Sequence, residues 1–287
     1  MTRPVTAGID GSAASFAAAA WAAREAELRG TSLRLVSAWS PPGGTAPEPP
    51  EAAERRSWAT RSLELARDRL RSRHPGLPIH ATLLGLPPHE ALLLSGVGAG
   101  LLVLGSRGLG GMSALLLGST GAHTAARADF PVVLVRPVPH PGDRPAGPVL
   151  LALDAGHAEQ EDVIAVAFEE AAMRGVPLRA LYAWTPPGPA RTYPVAQGHG
   201  TRSNAARQAA QRLAEALLPW RQKYPDVRVE EVCQEDVPAG AVSAETRRAG
   251  LAVLGHRVGY GAGSRLGAVV HSAVRHAACP VFLVPQA

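Results

Sequence analysis

The chain has 287 residues, 46% hydrophobic and 18% charged, which is the balance of a folded soluble protein and excludes a disordered one. Its 29 basic and 24 acidic residues leave a net charge of +5. The excess is mostly arginine: Arg55, Arg56, Arg61, Arg67, Arg69, Arg71 and Arg73 share one stretch with Glu51, Glu54, Glu64 and Asp68, a mixed-sign surface helix rather than a nucleic-acid stripe.

In chain order, a short apolar strand ending at Asp10 comes first. "AASFAAAAWAA" (Ala13–Ala23) could pass for the apolar core of a signal peptide. Asp10 stands ahead of it, however, and "REAELRG" continues it as an amphipathic helix, so a first helix is the reading and export the alternative. "SLRLVSAW" makes a second strand, followed by a proline-rich loop, the arginine-rich helix and a strand near Ile79–Leu84. "PPHEALLLSGVG" is a short helix feeding the strand "GLLVLG", and "STGAHTAARAD" is a helix leading to the strand "PVVLV". The apolar run Ala91–Gly105 falls short of the ~18 residues that suggest a membrane span, and glycines and Ser95 interrupt it, so no membrane partner is expected. Cys233 and Cys279 form neither a metal spacing nor a disulfide framework, which points to a reducing cytoplasm.

The pattern then recurs. "RGTSLRLVSAWSPPG" (Arg29–Gly43) returns as "RGVPLRALYAWTPPG" (Arg174–Gly188), "AGLLVLGSRG" (Ala99–Gly108) as "AGLAVLGHRV" (Ala249–Val258), and "FPVVLVRP" (Phe130–Pro137) as "CPVFLVPQ" (Cys279–Gln286). The displacements are 145, 150 and 149 residues, so one domain is used twice with small insertions. The domains expected are 1–138 and 148–287, with the proline- and glycine-rich 139–147 as linker. Alternating helices and unbroken apolar strands make each an α/β domain, a parallel sheet covered on both faces. Ligands of such sheets sit beyond the carboxyl ends of the strands, where strand order reverses.

The fourth strand runs at such an end into "GSRGLGGMSALLLGST" (Gly105–Thr120). Glycine there lets backbone approach a ligand. Gly118, Ser119 and Thr120 open a helix whose first amides have no intrahelical partner; with the dipole and two hydroxyls they make a place for phosphate. The alternative is a structural loop with Ser119 as helix N-cap. A P-loop needs a lysine after its glycines, and the single lysine, Lys223, lies at a helix end far away. The dinucleotide fingerprint would follow the first strand, not the fourth.

Gly105, two residues, Gly108, nine residues, Gly118 and then Ser119 resembles the ATP-binding signature of the universal stress protein family. Asp10, "LVSAW", Gly85, Pro87 and "PVVLVRP" extend the resemblance over both halves. It implies a tandem member with two doubly wound five-stranded parallel sheets, strand order 3-2-1-4-5, paired within the chain through their last strands. It also implies roles: Gly8 and Ile9 lining the nucleotide, Asp10 near ribose or a phosphate-bound Mg, and Ala38 offering backbone to the adenine edge. Gly105 and Gly108 would pass under ribose and α-phosphate, and Gly118, Ser119 and Thr120 would hold the outer phosphates. Arg107 would assist them or stand as a solvated surface arginine. The second copy departs from the signature. Val258 stands where Gly108 does, the loop is one residue shorter before Gly267, and Ala268 and Val269 replace both hydroxyls, while Asp154 and Ala183 keep the positions of Asp10 and Ala38.

No catalytic set is visible. His80 and His89 flank a strand, His256 sits in the degenerate loop, and His271 and His276, five apart, fall on different helix faces; none has metal-ligand spacing. His89 and Glu90 read as a helix start, and no serine has a nucleophile-elbow pattern. The expectation is an ATP-binding regulatory or protective protein of stress or dormancy. Its rivals are a non-nucleotide-binding dimerisation scaffold, a homodimer included, and a slow ATPase.

Overall fold

A computed structural model describes residues 3–42, 49–106, 119–137, 147–153, 160–185, 199–259 and 266–286. The linker at 139–147 therefore lies almost wholly outside the described residues. The first half begins with β1 (Val5–Gly8), two residues shorter than expected: the chain leaves the ladder after Gly8, so Asp10 stands in the turn beyond the strand. Gly11 makes that turn at φ +84°, a conformation that only glycine adopts freely. The Ser12 side chain then accepts from the Ser15 backbone N–H at 3.1 Å and caps α1 (Ala13–Leu28).

The alanine run of α1 has a packing purpose. Ala14, Ala18, Ala22 and Ala26 recur every four residues and are 0–3% exposed, so helix backbone comes close to the sheet. Then follow β2 (Leu33–Ala38), α2 (Pro50–Arg73), β3 (Ile79–Leu84), α3 (Pro88–Gly96), β4 (Leu101–Gly105), α4 (Ser119–Arg127) and β5 (Val132–Val135). α2 buries Ala52, Ala59, Leu63, Ala66 and Leu70 and turns most of its charged side chains outward, as its mixed-sign sequence requires. His80 lies within β3 rather than beside it.

The strands of the first half run in the order β3-β2-β1-β4-β5, and β1·β2, β1·β4, β2·β3 and β4·β5 pair in parallel. α1 and α2 pack together on one face and α3 with α4 on the other, as right-handed crossovers dictate once the strand order reverses. β4 and β5 are buried along their length, Leu101–Leu104 and Val132–Val135 being at most 3% exposed.

The second half repeats the plan with β6 (Val149–Leu153), α5 (Glu161–Arg174), β7 (Leu178–Trp184), α6 (His199–Lys223), β8 (Val229–Glu235), α7 (Pro238–Glu245), β9 (Leu251–Arg257), α8 (Ala268–His276) and β10 (Val281–Gln286). Its strand order, β8-β7-β6-β9-β10, is again 3-2-1-4-5. The chain divides into two compact units, Met1–Asp143 with 256–266 and the last residue, and Arg144–Gly255 with Gly267–Gln286. Among the described residues no helix is long and apolar enough to cross a membrane.

Two details recur in both units. Glu25 pairs with Arg29 at 2.6 Å, and Glu170 pairs with Arg174, each glutamate almost fully buried at the end of its helix. Each helix is followed by a left-handed glycine, Gly30 at φ +60° and Gly175 at φ +62°, which turns the chain into the next strand.

Candidate functional site

The register places several expected site residues at one edge of the first sheet. β1 lies between β2 and β4, with Gly8 opposite Val36 and Ala7 opposite Val103. The carboxyl ends of β1, β2 and β4 therefore adjoin, and strand order reverses between β1 and β4, which opens a crevice there. Gly8, Ile9 and Asp10 leave β1 at this edge, Ala38 closes β2 and Gly105 closes β4. Asp10 is exposed, and its carboxylate accepts from the Ser12 backbone N–H at 2.9 Å, which orients it at the start of α1. Ile9 is 4% exposed.

The glycines have packing reasons of their own. A Cβ on Gly105 would lie 2.7 Å from the Ala14 carbonyl carbon and 2.9 Å from its oxygen, so the bare Cα is where α1 rests on β4. A Cβ on Gly8 would come within 2.8 Å of Leu104 and 2.9 Å of Leu92 side-chain carbons. The absent side chain at Gly105 thus makes room for a helix, whatever its backbone does toward a ligand.

α4 begins at Ser119, with Thr120 half-buried in the first turn. Gly121 follows, and a Cβ there would sit 3.5 Å from the Gly105 carbonyl oxygen, so the first turn of α4 stands over the end of β4. Its N-terminal amides and positive dipole end are then at the crevice edge. Arg107, Gly108 and Gly118 lie outside the described residues.

The structure adds side-chain contacts that the sequence did not reveal. Trp39 follows Ala38, with the Arg56 guanidinium 5.6 Å from its ring centroid. Trp58, 49% exposed, reaches the β1–α1 turn: its Nε1 is 2.9 Å from where a Cβ on Gly11 would be. His89 and His123 meet edge to face at 5.2 Å, joining the first turn of α3 to α4. His123 is four residues after Ser119, on the same helix face, and that spacing was the readable signal. Among the described residues no cluster of three or more His, Cys, Asp or Glu could hold a metal ion.

At the matching edge of the second half, Ala183 is buried in β7, Val258 is half-buried beyond β9, and Asp154 lies outside the described residues. α8 starts at Ala268 after Gly267 and has no side-chain cap. A Cβ on Gly255, the counterpart of Gly105, would meet the Gln286 side chain at 2.4 Å.

Two doubly wound α/β sheets in tandem, each reversing strand order beside its first strand, define a class of tandem α/β folds. The chain belongs to the universal stress protein family, whose family model matches residues 1–136 and again 146–285. It is 32% identical to universal stress protein Rv2005c of Mycobacterium tuberculosis over 296 aligned positions, covering 98% of this chain and 97% of the relative. With universal stress protein MT2698 of the same species it shares 33% over 295 positions, covering 98% and 96%. Among solved structures, a universal stress protein from Archaeoglobus fulgidus superposes over 99% of this chain and 98% of its own, with TM-score 0.69 at 15% identity, and so shares the fold.

Proposed function

We propose that this chain is an adenine-nucleotide-binding regulatory member of its family, with ATP, with or without Mg, held mainly by the first half. The observation that carries the reading is the start of α4. Ser119 and Thr120 open a helix whose first turn stands over the end of β4, beside β1, at the reversal of strand order. The sequence spacing Gly105, Gly108, Gly118, Ser119 supports it. In this reading Asp10 faces the ribose or a phosphate-bound cation, Gly8, Ile9 and Ala38 meet the adenosine, and Arg107 and Gly108 complete the phosphate loop. No general base or lysine clamp accompanies these residues in the sequence, so binding rather than turnover is the proposed activity.

Calorimetry of the full chain with ATP tests this. Gly118→Leu puts a branched side chain where the phosphates pass and should abolish binding in a protein that still unfolds cooperatively. Unchanged affinity in that variant, or no affinity in the parent protein, would leave the scaffold reading standing.

A further inference from the structure

At the opposite, amino-terminal end of the second sheet, the chain ends of α5 and α6 line an open surface pocket of about 400 Å³. The corresponding helix ends of the first half are bridged. Where α1 and α2 end, Glu27 reaches across to His74, Oε1 to Nδ1 at 2.8 Å, and the pair bridges the two helix ends. Local hydrogen bonds equate the two places: His74 N–H donates to Leu70 and Leu77 N–H to His74, as Tyr224 N–H does to Trp220 and Val227 N–H to Tyr224. By that correspondence Ala172 replaces Glu27 and Tyr224 replaces His74. The bridge is gone, and the cavity lies where it would run.

The cavity is not an apolar defect. Its lining includes Lys223, Asp226 and Arg228, where the first half has Arg73, Gly76 and Pro78, together with Tyr224, Val176 and Pro177. The Lys223 ammonium lies 5.1 Å from the Trp220 ring centroid and 5.2 Å from that of Tyr224, and among the described residues it has no carboxylate in salt-bridge range. Asp226 lines the same space without pairing with Lys223. Arg228 is 79% exposed at its side chain, with a long 3.6 Å contact to Glu230. Phe168 supports Tyr224 and Trp220 from behind, at ring distances of 5.8 and 6.4 Å. Both helices present their C-terminal, partially negative ends here.

Lys223, Asp226 and Arg228 are exposed at the rim of this one pocket, and opposite charges around an aromatic and aliphatic wall suit a ligand that carries both charges. We propose that this cavity binds a small zwitterion with an apolar side chain, a free α-amino acid. Its carboxylate meets Lys223 and Arg228, its ammonium meets Asp226 and the helix ends, and its side chain lies on Tyr224, Val176 and Pro177. The volume is in the range of small-molecule pockets. This pocket lies at the other end of the strands from the proposed nucleotide crevice, and in the other half.

L-Leucine and L-phenylalanine titrated into the full chain by calorimetry test it, with 3-phenylpropionate and phenethylamine as single-charge controls. Saturable binding of at least one amino acid is expected, with both controls weaker. Lys223→Gln and Asp226→Asn should each weaken binding roughly tenfold or more, as loss of a charge-assisted contact does. Ala172→Glu with Tyr224→His rebuilds the first half's bridge and should abolish binding while thermal unfolding stays cooperative. Absence of saturable binding at millimolar amino acid overturns the proposal. So does phenylpropionate binding as tightly as phenylalanine, or unchanged affinity in the two single variants.

Discussion

His256 sits near the end of β9 with 3% of its surface exposed, and neither ring nitrogen has a hydrogen-bond partner among the described residues. Burial pushes its pKa down; the Arg257 backbone favours the cation, but not in hydrogen-bond geometry, so desolvation dominates. The folded protein therefore binds this proton more weakly than the unfolded chain, whose histidine titrates near its ordinary value of about 6.5. Stability from this site is complete above that pH and falls as pH drops through it, by up to ~1.4 kcal/mol per pH unit until the folded imidazole itself protonates. Urea unfolding across the neutral-to-acid range should show a steeper loss for the parent protein than for His256→Leu. Equal slopes would mean that the ring is not buried neutral. Gly105 teaches a different lesson at the same scale. Its missing side chain is required by Ala14, a contact between residues about 90 positions apart that the glycine spacing by itself does not reveal.

α4 and α8 occupy the same place in their halves and differ in their first turn. α4 opens with Ser119 and Thr120, α8 with Ala268 and Val269 after Gly267. The double variant Ser119→Ala, Thr120→Val separates two readings of that turn. If the hydroxyls meet phosphate oxygens, ATP affinity should fall by roughly 1–3 kcal/mol in calorimetry. If the hydroxyls only steady the first turn of the helix, the loss should appear as folding stability with affinity kept. The succession of helices and strands was legible because their apolar periods and glycine or proline boundaries are local. The end of β1 was not: the ladder closes at Gly8 because of its pairing with Val36, and the sequence marks no stop before Asp10.

For the whole molecule, duplication makes each half a control for the other. Both keep the strand order, the buried Glu–Arg pair at a helix end and the left-handed glycine after it. They diverge at the ends of the sheets. Ser119 and Thr120 open α4 in the first half, Ala268 and Val269 open α8 in the second, and the amino-end pocket with its three charged residues belongs to the second. The chain should therefore bind about one ATP. Without Ser and Thr at Ala268 and Val269, the second half loses two charge-assisted bonds of ~1.5–3 kcal/mol each, enough to weaken binding a hundredfold or more. A calorimetric stoichiometry of two equal sites would show that backbone amides suffice and that the hydroxyls are dispensable.

By itself the sequence determined the duplication, the α/β alternation within each copy and the unequal glycine loops, because repeats, periodicity and spacing are properties of the chain read in order. The family resemblance followed from those same residues. Only the tertiary structure decided what occupies the space around them. Nothing near Gly11 in sequence announces Trp58, and nothing near Gly96 announces Phe130, whose ring would lie 2.0 Å from a Cβ there. The cavity beside Lys223 likewise depends on Ala172 and Tyr224, some 50 residues apart, ending two helices at one place. Vacancy and proximity arise when distant segments pack against each other, and that geometry is set by the fold as a whole rather than by any local pattern.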